Sequence, residues 1–131
     1  MGMKNKFINV LVLIIQGLVS LAFLGAGCMK LLTPYDALAI APNMGWVLDF
    51  SPTSVLVIAS SEVLFAVGML LSFFIEPLKK WTSIFALGLI AIMLGAAATH
   101  IVRGEPIAPN IVLASFAAIV AISRRDRLKS H

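Results

Sequence analysis

Residues 7–32 read FINVLVLIIQGLVSLAFLGAGCMKLL, an apolar run broken past its first turn by the polar side chains of Gln16, Ser20 and Lys30. Roughly 20 mainly apolar residues in a helix cross the hydrocarbon core of a bilayer, so this run is long enough to span one. It stops at Thr33-Pro34, because proline cannot extend a helix. The rest of the chain repeats the pattern. A second run, residues 54–75, holds a single ionisable side chain, Glu62, and ends at Glu76-Pro77. A third covers 81–102 and is closed by Arg103-Gly104-Glu105-Pro106, and a shorter fourth covers 107–123 and is closed by the basic tail 124–131. The runs are continuous rather than alternating and too long for barrel strands, which excludes a β architecture.

Composition agrees. The 131 residues are 60% apolar and 12% charged, with a mean hydropathy of +1.03. A soluble domain of this size needs far more polar surface, and a disordered chain needs low hydrophobicity and high charge. The expected fold is therefore an all-α integral membrane domain, an antiparallel four-helix bundle over 1–131 with an outer loop at 33–53. The lipid bilayer is its first partner. A net charge of +4 carries no nucleic-acid footprint, since that requires a basic patch on a soluble fold.

The charges set the orientation. Lys4 and Lys6 precede the first run, Lys79 and Lys80 lie between the second and third, and Arg124, Arg125, Arg127 and Lys129 follow the fourth. Cytoplasmic segments are rich in such residues, and only Lys30 and Arg103 fall on the other side. The expectation is a multi-pass protein of the plasma (inner) membrane with both termini inside. A secretory leader is a poorer reading of residues 1–32, whose apolar run is much longer than the 7–15 residues or so of a signal peptide. The lone Cys28 excludes an internal disulfide. In the outer loop, Tyr35, Trp46 and Phe50 suit the headgroup level, and a short helix is expected over Tyr35 to Ile40 with Asp36 in its first turn.

Polar side chains that the bilayer would expel are the place to look for chemistry. Gln16, Ser20, Phe23, Gly27 and Lys30 recur at spacings of 4, 3, 4 and 3, which is one helical stripe. Lys30, Glu62, His100 and Asn110 all fall in the outer half of the four runs, and they are the candidates for ligand binding or proton exchange. Gln16 and Arg103 are secondary candidates. Gly27, Gly68, Gly88 and Gly95 are candidates for close helix packing. An unpaired carboxylate at the depth of Glu62 is costly, so it is paired, protonated or facing a wet cavity. Lys30 is the first candidate partner, with His100 and Arg103 as the others. No metal-ligand spacing and no catalytic constellation is present, so no metal is expected and no reaction is assigned.

Three segments carry a resemblance to a family: Phe-Leu-Gly-Ala-Gly-Cys-Met-Lys-Leu at 23–31, Val-Ile-Ala-Ser-Ser-Glu-Val-Leu-Phe-Ala-Val-Gly at 57–68, and Met-Leu-Gly-Ala-Ala-Ala-Thr-His at 93–100. Their order in a four-run chain resembles the DoxX-like membrane proteins over about residues 7–123, with Gly27, Lys30, Glu62, Gly68 and His100 as the matching positions. The resemblance implies association with quinone-linked sulfur oxidation, with secreted oxidative-stress enzymes or, in distant relatives, with receptor assembly. Two departures stand out: Gln16 occupies a position where many members carry arginine, and there is no cysteine pair.

Two functions are open at this point. One is an accessory, redox-associated subunit whose outer-half pocket takes a quinone or another small lipophilic molecule. The other is a non-enzymatic scaffold or chaperone that binds a membrane or secreted protein. A homo-oligomer fits either, and a solute transporter fits poorly without a broken span or an inverted repeat.

Overall fold

The computed structural model describes residues 3–126, with side chains from residue 5 onward. Arg127 and Lys129 of the basic tail and the side chain of Lys4 lie outside the described residues. Helix α1 runs Met3–Leu32, α2 Tyr35–Ile40, α3 Pro52–Leu71, α4 Glu76–Lys79, α5 Thr82–Val102 and α6 Ala108–Ser123, with a 3₁₀ turn at Gly45–Asp49. Among the described residues there is no strand.

Local chemistry places the ends. The Ser51 side chain caps α3 by accepting from the Ser54 amide at 3.1 Å, and Pro52 occupies the first turn, where its missing N–H costs nothing. The same helix ends at Leu71, short of the expected residue 75. The Ser72 hydroxyl donates to the Met69 carbonyl at 2.6 Å, and Phe73 and Phe74 bond back only three residues, a tightening that ends the regular ladder. Glu76-Pro77-Leu78-Lys79 then forms a helical turn of its own instead of a loop. At the other end of the molecule α5 closes on Gly104, whose φ is +73°. Gly104 N–H bonds the Ile101 carbonyl at 3.0 Å and Glu105 N–H bonds the His100 carbonyl at 2.8 Å. This is the Schellman arrangement.

Three helices are long and apolar enough to cross a membrane: Asn5–Leu32 within α1, Pro52–Leu71 and Thr82–Val102. The fourth, Ala108–Ser123, has 16 residues and is about 24 Å long at 1.5 Å per residue. It falls short of the full span expected for it.

The long helices close a ring in which α1 packs against α3 and α6, and α5 packs against α3 and α6. The main core brings together Val19 and Phe23 of α1, Ala66 and Met69 of α3, Leu89 of α5 and Val120 of α6. Outside it the chain shows its apolar side chains: Leu18, Leu64 and Leu94 are each more than half exposed, the pattern of a protein whose surroundings are themselves apolar. A second, smaller core lies at the 33–53 loop, where Leu38 and Val47 of the loop and Val55 of α3 are buried against Tyr35, Trp46 and Phe50. The Tyr35 hydroxyl sits 3.0 Å from the Val47 carbonyl and 2.8 Å from that of Phe50. The loop is thus a folded cap in which α2 packs on the 3₁₀ turn.

Candidate functional site

The polar stripe of α1 faces inward: Gln16, Ser20 and Phe23 are at most 1% exposed and Lys30 is 9% exposed. Glu62 lies on the buried stripe of α3 with Val55, Ala59, Ala66 and Met69. The two faces meet at Lys30 and Glu62, whose Nζ and Oε1 are 2.5 Å apart. Gly27, one turn before Lys30, makes the approach possible. A Cβ there would stand 2.7 Å from Val63 Cγ2 and 3.3 Å from Glu62 Cβ. Above the pair the cap supplies the Trp46 ring, with its centroid 5.5 Å from Lys30 Nζ, a cation–π contact. The second carboxylate oxygen, Glu62 Oε2, is buried and has no hydrogen-bond partner among the described residues.

His100 and Arg103 belong to a different cluster. The Schellman turn swings Glu105 back over the end of α5, where its Oε1 lies 2.8 Å from His100 Nδ1 and 3.1 Å from Arg103 Nε. Arg103 Nη1 reaches on to Asp49 Oδ2 at 3.2 Å. The Arg103 guanidinium also packs against Gly45, where a Cβ would meet Nη2 at 2.9 Å. The hydrogen bond from His100 and then the Arg103 charge hold the Glu105 carboxyl below its ordinary range. Together these contacts latch the 3₁₀ turn of the cap to the end of α5. Asn110 goes elsewhere again, its amide 3.7 Å from Met93 Sδ. Of the four outer-half candidates, then, the structure brings Lys30 and Glu62 into contact, while His100 and Asn110 bond to Glu105 and Met93.

Gln16 anchors a separate polar centre about 21 Å along α1 from Lys30, fourteen residues at 1.5 Å each. Its Nε2 donates to the Met69 carbonyl and to Ser72 Oγ, both at 2.9 Å. The carbonyl can only accept, which fixes the orientation of the amide. Val19, Phe23 and Met69, all buried, separate the two centres.

The sequence profile of the DoxX-like family matches residues 14–123. The chain belongs to the DoxX-like family. No curated protein and no solved structure matches it. In this DoxX-like protein the matched region holds the ring of helices, the cap, the Lys30–Glu62 pair and the Gln16 centre together.

The packing glycines divide sharply. A Cβ on Gly68 would stand 2.8 Å from the Phe85 ring, and one on Gly88 would stand 2.7 Å from the Phe65 ring, so each glycine receives an aromatic side chain from the neighbouring helix. Gly95 meets nothing within 4 Å and is exposed, as are Ala91 and Ala98. The buried face of α5 is instead Ala86, Leu89, Met93 and Ala97. Gly95 therefore packs against nothing within this chain.

Sequence reasoning missed Trp46, Asp49, Ser72 and Glu105 as partners. Glu105 had a readable signal, because Arg-Gly-Glu-Pro after a helix invites a left-handed glycine and a turn that returns the next residue to the helix end. Among the described residues no group of three or more His, Cys, Asp or Glu is placed to hold a metal ion.

Proposed function

We propose that this protein is an accessory, redox-associated subunit of the plasma (inner) membrane, an antiparallel four-helix bundle with both termini inside, in which the Lys30–Glu62 pair receives the polar head of a quinol or a similar small lipophilic molecule. The observation that carries the reading is Glu62 Oε2, a buried carboxylate oxygen with no hydrogen-bond partner among the described residues. An unpaired acceptor of this kind costs about 1–3 kcal/mol or more, and a hydroxyl on an apolar ligand would satisfy it. Lys30 holds the carboxylate in place through Oε1. Trp46, from the cap, lies over the pair with its ring centroid 5.5 Å from Lys30 Nζ. The chain's own role is to bind the head through a hydrogen bond from its hydroxyl to Oε2.

Binding of a short-chain quinol analogue to the full chain in nanodiscs tests this. The expected result is a loss of roughly tenfold in affinity for Glu62→Gln, the scale of one charge-assisted hydrogen bond, with helix content retained. Unchanged affinity contradicts the reading.

A second reading, a scaffold that binds a membrane or secreted protein or a second copy of itself, is favoured by one observation: Ala91, Gly95 and Ala98 face outward, and small residues on a lipid-facing helix allow close approach of another. It predicts a stoichiometric partner lost on Gly95→Leu, with quinol binding indifferent to Glu62→Gln.

A further inference from the structure

The end of the molecule where α1 begins and α6 finishes, marked by Arg124 Nη2 lying 3.4 Å from the Asn9 carbonyl, contains a feature the Lys30–Glu62 pair does not use. A recess of about 260 Å³ opens between α1 and the connection that follows α3, lined by Asn9, Leu13, Gln16, Ser72, Phe73 and Lys79. At about 30 Å³ per water its volume equals roughly nine water molecules, room for a group the size of glycerophosphate.

The lining states what such a group must offer. Gln16 is 1% exposed, and its Oε1 has no hydrogen-bond partner among the described residues. The nearby Ser72 hydroxyl cannot serve it, because that proton goes to the Met69 carbonyl while the oxygen receives Gln16 Nε2. The recess therefore needs a hydrogen-bond donor brought from outside. Lys79 supplies a cation on the same wall and pairs with the exposed Glu76 at 2.8 Å, an interaction weak enough for an anion to join or replace. Lys80 follows it in the chain and Arg125 lies beyond α6, so the basic residues at this end of the molecule favour an anion and a neutral donor over an ammonium group. Leu13 and Phe73 provide the apolar part of the wall.

We infer that this recess binds the head of an anionic phospholipid that carries a free hydroxyl. The hydroxyl donates to Gln16 Oε1, the phosphate rests on Lys79 with the Asn9 amide beside it, and the chain-bearing end lies along Leu13 and Phe73. The site is independent of the outer pair, from which buried Val19 and Phe23 divide it.

Lipid titration of the full chain in detergent, read by native mass spectrometry, tests the inference with four lipids of matched chains: phosphatidylglycerol, phosphatidylmethanol, phosphatidylethanolamine and phosphatidylcholine. Phosphatidylmethanol carries the same charge as phosphatidylglycerol but no hydroxyl. Phosphatidylglycerol is expected to bind roughly tenfold more tightly than the other three, the effect of pairing one buried acceptor. Gln16→Met is expected to bring it down to the level of phosphatidylmethanol. Lys79→Gln, at a half-buried position, is expected to retain helix content and to weaken both anionic lipids severalfold, and Glu62→Gln to leave the preference unchanged. Equal binding of phosphatidylmethanol or phosphatidylethanolamine, as expected if the recess holds only water, overturns the inference, and so does an affinity for both anionic lipids that Lys79→Gln leaves unchanged.

Discussion

Lys30 and Glu62 differ in what each loses when the other is removed. Lys30 is 9% exposed and Glu62 1%, and the lysine's flexible stem can carry its charge toward the headgroups when the carboxylate is gone. The glutamate has no such escape and must protonate or remain charged in apolar surroundings. Lys30→Met is therefore expected to cost about 3–5 kcal/mol, the range for orphaning a buried charge, and Glu62→Gln distinctly less. The double variant Lys30→Met/Glu62→Gln recovers much of the loss. Unfolding of the three variants in mixed micelles measures this, and equal costs for the two single substitutions contradict it. The pair was legible in the sequence because both residues sit on helical stripes within otherwise apolar runs. The place of His100 was not, because its partner is set by the Gly104 turn and not by helical spacing.

At the scale of elements, the glycines of α3 and α5 offer a paired comparison. Gly68→Ala drives a methyl against the Phe85 ring at 2.8 Å and is expected to cost about 1–3 kcal/mol by overpacking, a loss that Phe85→Leu relieves. Gly95→Ala meets open space and is expected to be neutral or to stabilise by up to about 1 kcal/mol through helix propensity. Thermal stability in one detergent distinguishes them, and a larger loss at Gly95 would place that face inside. The inward face of α5 was hard to read because the helix is apolar all round. The small stripe 88, 91, 95, 98 and the buried set 86, 89, 93, 97 are both helical in period, and only packing chooses between them. The cap was partly legible: Tyr35–Ile40 forms the expected short helix, while its latch to α5 requires contacts far apart in sequence.

That latch has a pH dependence. The Glu105 carboxyl is held below its ordinary range by His100 and Arg103, so its contribution is complete above the unperturbed value of about 4.3. It is lost as pH falls through the lower folded value, where the carboxyl protonates. Trp46 fluorescence is expected to change on acidification below about pH 4, as the cap loosens. Glu105→Gln is expected to show the loosened signal at neutral pH. A Trp46 signal indifferent to both acid and Glu105→Gln contradicts the latch.

For the whole molecule, the beginning of α1 and the end of α6 lie side by side, which puts them on the same side of any bilayer the helices cross. With Cys28 replaced by serine, single cysteines introduced at Lys6 and at Arg125 are expected to react with an impermeant thiol reagent only from the inner face, and a cysteine at Asp49 only from the outer face. The membrane class was legible from composition, since so few charges cannot clothe a soluble domain of this size. What composition could not reveal is that the polar residues divide into two centres at opposite ends with an apolar core between them.

The most direct measurement is photo-crosslinking of the full chain in nanodiscs with a quinol analogue bearing a photoreactive group on its ring, followed by mapping of the labelled peptides. The account predicts labels on α1 near Lys30, on α3 near Glu62 and on the cap around Trp46, all suppressed by excess unlabelled quinol. Labels confined to Gln16, Ser72 and Lys79, or spread evenly over the lipid-facing surfaces, would contradict it.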